Sequence, residues 1–191
     1  MRAVLAAIER GDLRAEARLL VSNRRDAPAL AVAANHGVPT LVAPTIADPG
    51  AADAAVASAL KSAGVELVVL SGYLRKLGPR TLAAYENRVL NVHPALLPKY
   101  GGQGMYGRRV HEAVAASGDA ASGASVHLVD ADYDQGPVIA RRETALAPGD
   151  DAEAIEAKVT AIEPGLLVET LRRISEGALK LPELAISDNL P

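Results

Sequence analysis

Asn91 and His93 stand two residues apart where an apolar run ends at Pro94. In an extended strand residues i and i+2 leave from one face, so an amide and an imidazole emerge side by side. An amide N–H can hold negative charge developing on an oxygen, and a neighbouring imidazole can carry a proton. Pro94 cannot donate to a sheet ladder and stops the strand. Taken alone, an Asn-x-His pair is more readily explained as a turn asparagine and a histidine satisfied by backbone.

The elements that must hold these side chains alternate along the chain. Val- and Leu-rich runs at Ala17–Val21, Thr40–Ala43, Glu66–Ser71, Arg88–Val92, Ser125–Val129 and Pro137–Ala140 read as strands. They lack strict alternation, as expected of a sheet covered on both faces. Helical patterns fall between them at Arg2–Arg10, Ala27–His36, Ala51–Ala63, Pro79–Tyr85 and Arg109–Ala116, with a long one from Ala152 to about Glu176. A carboxylate of Gly149-Asp150-Asp151 is placed to cap that last helix, and Pro164 should kink or split it. The alternation predicts a single α/β domain over residues 1–191, with a Rossmann-like, mostly parallel sheet and helices on both faces. Asn91 and His93 then sit at the carboxyl end of a parallel strand, where open α/β sheets bind ligands. Asp48-Pro49-Gly50 and Tyr100-Gly101-Gly102-Gln103-Gly104 read as loops, Gly101–Gly107 as a flexible lid, and residues 182–191 as a loose tail.

Composition narrows the function classes. The chain has 191 residues, 49% hydrophobic and 23% charged, at net charge −3. It carries no basic stripe, which argues against nucleic acid or an anionic membrane as the main partner. It has no cysteine, which removes thiolate metal sites and cysteine nucleophiles, and no pair of His and carboxylates has metal-ligand spacing. The N-terminal apolar run is short and followed by charge, and no stretch reaches the roughly 18 apolar residues of a membrane span. The cytoplasm is the expected compartment, with the protein a monomer or homodimer.

The longer run Asn91-Val92-His93-Pro94-Ala95-Leu96-Leu97-Pro98-Lys99-Tyr100 resembles the N-[IV]-H-P-S-L-L-P-x-[YWF] signature of the folate-dependent formyltransferases, with Ala95 where serine is usual. Val68-Val69-Leu70-Ser71-Gly72-Tyr73-Leu74-Arg75, Gly123-Ala124-Ser125-Val126-His127-Leu128-Val129 and Asp134-Gln135-Gly136-Pro137-Val138-Ile139 also resemble blocks of that family. The likeness runs from Arg2 to about Leu181. It implies transfer of a formyl group from 10-formyltetrahydrofolate to the amine of 5′-phosphoribosylglycinamide, a step of purine synthesis, with no metal. It also implies His93 as general acid/base, Asn91 as holder of the oxyanion, and Asp134 as the carboxylate that keeps the imidazole protonated and orders a water. A carboxylate beside a histidine raises its pKa toward a workable range.

The same likeness places the pterin against Leu74, Arg75, Lys76 and Leu77 and against Asp130, Ala131, Asp132, Tyr133 and Asp134. Lys76 stands where an apolar residue is common. Glu163, and more weakly Thr160, match positions that bind the amine substrate, and Pro164 stands where histidine is usual. His127 reads as mainly structural, His36 as a helix-end residue, and His111 lies in a segment longer than in familiar members. Family members open on a strand and a G-x-G-S-N-type loop whose backbone N–H groups bind the substrate phosphate. Met1–Leu5 corresponds to the helix after that loop, so the first strand and phosphate loop are expected to be lacking here; the expectation is a translation start upstream of Met1, with a shortened relative of altered function as the alternative. A formyltetrahydrofolate hydrolase and a non-catalytic folate-binding module are the rival readings.

Overall fold

The computed structural model describes residues 1–183. Six strands and six helices follow one another in the order α1 (Arg2–Glu9), β1 (Leu20–Ser22), α2 (Pro28–Asn35), β2 (Thr40–Val42), α3 (Pro49–Ser62), β3 (Val68–Leu70), α4 (Pro79–Ala84), β4 (Val89–His93), α5 (Arg108–Ser117), β5 (Ala121–Leu128), β6 (Val138–Ala145) and α6 (Ala152–Ser175). Every expected element is present, with boundaries moved by a few residues. Asp48-Pro49-Gly50 is not a loop: Asp48 Oδ1 accepts from Ala51 N at 2.8 Å and caps α3, whose first turn takes Pro49. Asp151 caps α6 through Ala154 N at 2.9 Å. That helix runs unbroken through Pro164, because one missing donor is tolerated where the packed apolar face on either side holds the turns. Pro182 and Glu183 are held through their carbonyls by Arg88 and Asn87, while the rest of the tail read as loose lies outside the described residues.

The sheet departs from the mostly parallel expectation. β1 pairs with β2 and β3 with β4 in parallel, but β4–β5 and β5–β6 are antiparallel. β5 and β6 are joined by a short segment without a helix, which permits only the antiparallel return. The strands also form two sheets, β1-β2 and β3-β4-β5-β6. A groove of about 660 Å³ lies between them, lined by Leu20 of β1 and Val69 of β3 among others.

The main core joins α5 and α6 to the larger sheet through Leu90, Val114, Val126, Leu128, Ile155, Val159 and Leu167. A second cluster of Leu60, Tyr85 and Val89 covers the opposite side of β4. Each fully buried aliphatic side chain of this kind contributes about 1.5–3 kcal/mol. β4 is thus clamped on both faces and between two neighbours, which fixes where its last residues point. The loop after β3 is anchored separately. Buried Asp53 of α3 accepts from Arg80 N (2.8 Å), Thr81 N (3.0 Å) and Thr81 Oγ1 (2.6 Å), capping α4. Gly78 packs so tightly there that a Cβ would lie 2.1 Å from Asp53 Cγ.

Candidate active site

β4 runs between β3 and β5, and its register sets Asn91 opposite His127 and His93 opposite Ser125. Directly opposed residues share a face, so the four side chains project together. Ser125 Oγ donates to the Ala95 carbonyl at 2.7 Å and accepts from Leu97 N at 3.0 Å, fixing the turn that follows Pro94.

The hydrogen bonds assign the protons. His127 Nδ1 lies 2.9 Å from the Leu128 carbonyl, an acceptor only, so Nδ1 carries the proton. Nε2 of the neutral ring then accepts from Asn91 Nδ2 at 3.1 Å. The Asn91 amide is oriented by that bond, and its second N–H has no partner among the described residues. His93 Nε2 lies 2.7 Å from the Tyr100 carbonyl and must donate to it. A neutral His93 therefore turns the lone pair of Nδ1 toward Asp134 Oδ2, 3.5 Å away. A proton taken up at Nδ1 converts that contact into an ion pair.

Asp134 reaches this position by an unusual backbone. Its φ is 56° and that of Tyr100 is 58°, both in the left-handed region that non-glycine residues rarely adopt. Such conformations cost about 1–3 kcal/mol and persist where the surroundings over-determine them. Here Gly102 N donates to Asp134 Oδ2 at 2.9 Å. Gly101 has no room for a side chain, since a Cβ would meet Leu97 Cδ2 at 2.4 Å. The Gly101–Gly107 segment is therefore pinned at its start.

Burial works to raise the Asp134 pKa, but the His127 and His93 rings and the Gly102 N–H outweigh it and hold the carboxyl below its usual range. Asp134 Oδ1 also lies 3.5 Å from His127 Nε2, a contact that becomes an ion pair only when that ring carries a second proton. For His93 the balance runs opposite to the expectation. Its ring is 3% exposed, and burial lowers its pKa by more than Asp134 and the Tyr100 carbonyl raise it, with His127 adding to the lowering.

The remaining expected site residues fall into two further places. Leu74, Arg75 and Lys76 are exposed on the loop after β3, while Leu77 packs into the Leu60–Tyr85–Val89 cluster. Asp130, Ala131, Asp132 and Tyr133 are exposed on the loop after β5, and Lys76 Nζ stands 5.6 Å from the Tyr133 ring centroid. Glu163 lines a cleft of about 400 Å³ with Arg2, Pro28, Ser71 and Val92 among its neighbours. Burial and the Glu156 carboxylate push the Glu163 pKa up. Thr160 is exposed and does not line the cleft. Val92 points to the other face of β4 from Asn91 and His93, so cleft and proton cluster meet at the strand end from opposite sides.

His127 belongs to the cluster, although its sequence context reads as structural. Its signal is the two-residue spacing from Ser125, visible only once the β4–β5 register is known. His36 ends α2 and pairs with Glu9 at 2.5 Å. His111 is buried on α5, its Nδ1 without a partner, and burial lowers its pKa despite Glu156. Among the described residues no three His, Asp or Glu side chains are grouped so as to hold a metal ion, and no helix is long and apolar enough to cross a membrane.

Comparison with known proteins identifies the family. Residues 1–171, which include the whole cluster, match the Formyl transferase family. The chain belongs to that family. It is 34% identical over 177 residues to the chloroplastic phosphoribosylglycinamide formyltransferase of Vigna unguiculata, covering 92% of this chain and 57% of that protein. Against the crystal structure of glycinamide ribonucleotide transformylase 1 from Symbiobacterium toebii the TM-score is 0.85 at 31% identity, with 95% of this chain and 84% of that one covered. A solved structure of different name, the formyltetrahydrofolate deformylase from Burkholderia mallei, gives a TM-score of 0.78 at 29% identity, covering 92% of this chain and 60% of that one. The chain thus spans less than two thirds of the plant relative and most of the bacterial transformylase.

Proposed function

We propose that the protein transfers a formyl group from 10-formyltetrahydrofolate to the amine of 5′-phosphoribosylglycinamide in purine synthesis. The observation that carries this reading is the directed network of Asn91, His127, His93 and Asp134, in which each proton has an assigned place. In the transfer, the amine nitrogen bonds to the formyl carbon, the bond from that carbon to the folate nitrogen breaks, and one proton passes from the amine to the folate nitrogen. Asn91, oriented by His127, offers its free amide N–H to the formyl oxygen as charge develops there. His93 takes the proton at Nδ1, where Asp134 compensates the positive charge, and returns it to the leaving nitrogen.

The loops carrying Leu74–Leu77 and Asp130–Asp134 fit a flat donor with a polar edge. They present Leu74 (67% exposed) and Tyr133 (43% exposed) as apolar surface beside the cluster. Glu163 suits an acceptor bearing an amine, and Arg2 on the same cleft suits its phosphate. Two small, highly charged substrates call for an aqueous compartment, and we place the reaction in the cytoplasm. Water in place of the amine would make the same cluster a hydrolase. The amine cleft beside Glu163 favours transfer. His93→Ala should lower turnover by about 10²–10⁴-fold while calorimetry still detects binding of the folate donor. Retained turnover would remove His93 from the proposed shuttle.

A further inference from the structure

Lys76 and Tyr133 belong to different loops, one following β3 and the other following β5, and both side chains are exposed. The Lys76 Nζ is 5.6 Å from the centre of the Tyr133 ring. An ammonium within about 6 Å of a ring centroid is attracted by the negative face of the ring. Each loop is fixed behind this contact. Leu77 is sunk in the Leu60–Tyr85–Val89 cluster and Gly78 lies against Asp53. Tyr133 precedes Asp134, whose carboxylate is held by Gly102 N and faces His93. The contact therefore ties the free arc of one loop to the backbone segment that carries Asp134. Isolated, both arcs would move independently, since Leu74 is largely uncovered and Tyr133 is 43% exposed.

We infer that Lys76 and Tyr133 form a clasp that sets the separation of the two loops and pre-shapes the slot for the donor. Both act as positioning residues for donor binding, and the inference rests on the folate reading given above. A clasp that pre-organises a slot lowers the ordering cost of binding, so its loss appears in donor affinity more than in the chemical step. An exposed contact of this kind corresponds to about a two- to fivefold change.

The test is a double-mutant cycle with steady-state kinetics at varied 10-formyltetrahydrofolate and saturating 5′-phosphoribosylglycinamide, supported by calorimetric donor binding. Lys76→Ile should raise the donor KM about two- to fivefold with a smaller change in kcat. Lys76→Arg, which keeps the cation, and Tyr133→Phe, which keeps the ring, should recover most of the affinity. Lys76→Ile combined with Tyr133→Ala should be no weaker than Tyr133→Ala alone. Strictly additive effects, or an unchanged KM in Lys76→Ile, would overturn the clasp while leaving the formyl-transfer reading intact. Failure of the unaltered protein to bind the donor at all would overturn both.

Discussion

In the cluster of Asn91, His93, His127 and Asp134 each side chain is committed to a fixed partner: Asn91 to His127, His127 to the Leu128 carbonyl, His93 to the Tyr100 carbonyl, and Asp134 to Gly102 N. In the cleft on the other side of the β4 end, Glu163 has no hydrogen-bonded partner among the described residues, Arg2 stands exposed beside it, and Ser71 Oγ only accepts a long 3.4 Å bond from the Met1 amino terminus. The difference fits the two tasks we propose for them. Stabilising charge that exists only during reaction demands dipoles fixed in advance, so the protein satisfies them internally and leaves one N–H free. Binding a substrate demands groups still seeking partners, and a half-buried carboxylate with a raised pKa is such a group.

That contrast predicts how each region fails. Asn91→Ala removes the one uncommitted donor, and kcat should fall by about 10²–10³-fold with donor and amine KM little changed. Asp134→Asn should act through the titration of His93. Burial lowers the His93 pKa and Asp134 opposes that, while His127 lowers it further. The acid limb of kcat/KM reports the neutral form of the free enzyme. Activity is thus lost as pH falls through the His93 pKa, and in Asp134→Asn that limb should move to lower pH while the maximum rate drops. A limb that stayed in place would show that the carboxylate does not sense the His93 proton.

Glu163→Gln should give the smallest kinetic change, a rise in amine KM with kcat nearly retained. It also carries a stability signature of defined sign. The folded pKa of Glu163 is raised by burial and by Glu156, so its favourable contribution is complete at low pH and is lost as pH rises through the folded value. The glutamine variant should therefore melt higher than the unaltered protein at neutral pH and equally at acid pH. A melting temperature lowered at neutral pH would mean that Glu163 is engaged in a contact its environment does not show.

The elements were largely legible in the sequence because Val/Leu runs alternate with capped helices, and Asp151 caps α6 where its position suggests. Strand direction was not, because the short β5–β6 connection and the long extension of both strands leave little trace in apolar patterning. The Asn91–His93 pair could be found from spacing, and Asp134 from the resemblance of its block. What spacing could not supply is the sign of the His93 shift, which depends on a burial created by Tyr100 and α5. Nor could it reveal His127 as the residue orienting Asn91, a relation set by cross-strand register. Asp53, which anchors the loop holding Lys76, lies among the alanines of α3 with no signal of its own and becomes distinctive only when α4 docks on it.

The central claim is that this cluster moves a formyl group onto an amine held in the neighbouring cleft. The direct measurement follows 10-formyltetrahydrofolate consumption and formate release by the purified protein, with and without 5′-phosphoribosylglycinamide. Consumption that requires the amine and yields the formylated amine without formate is the predicted result. Formate released at the same rate without the amine would contradict it and make the protein a hydrolase.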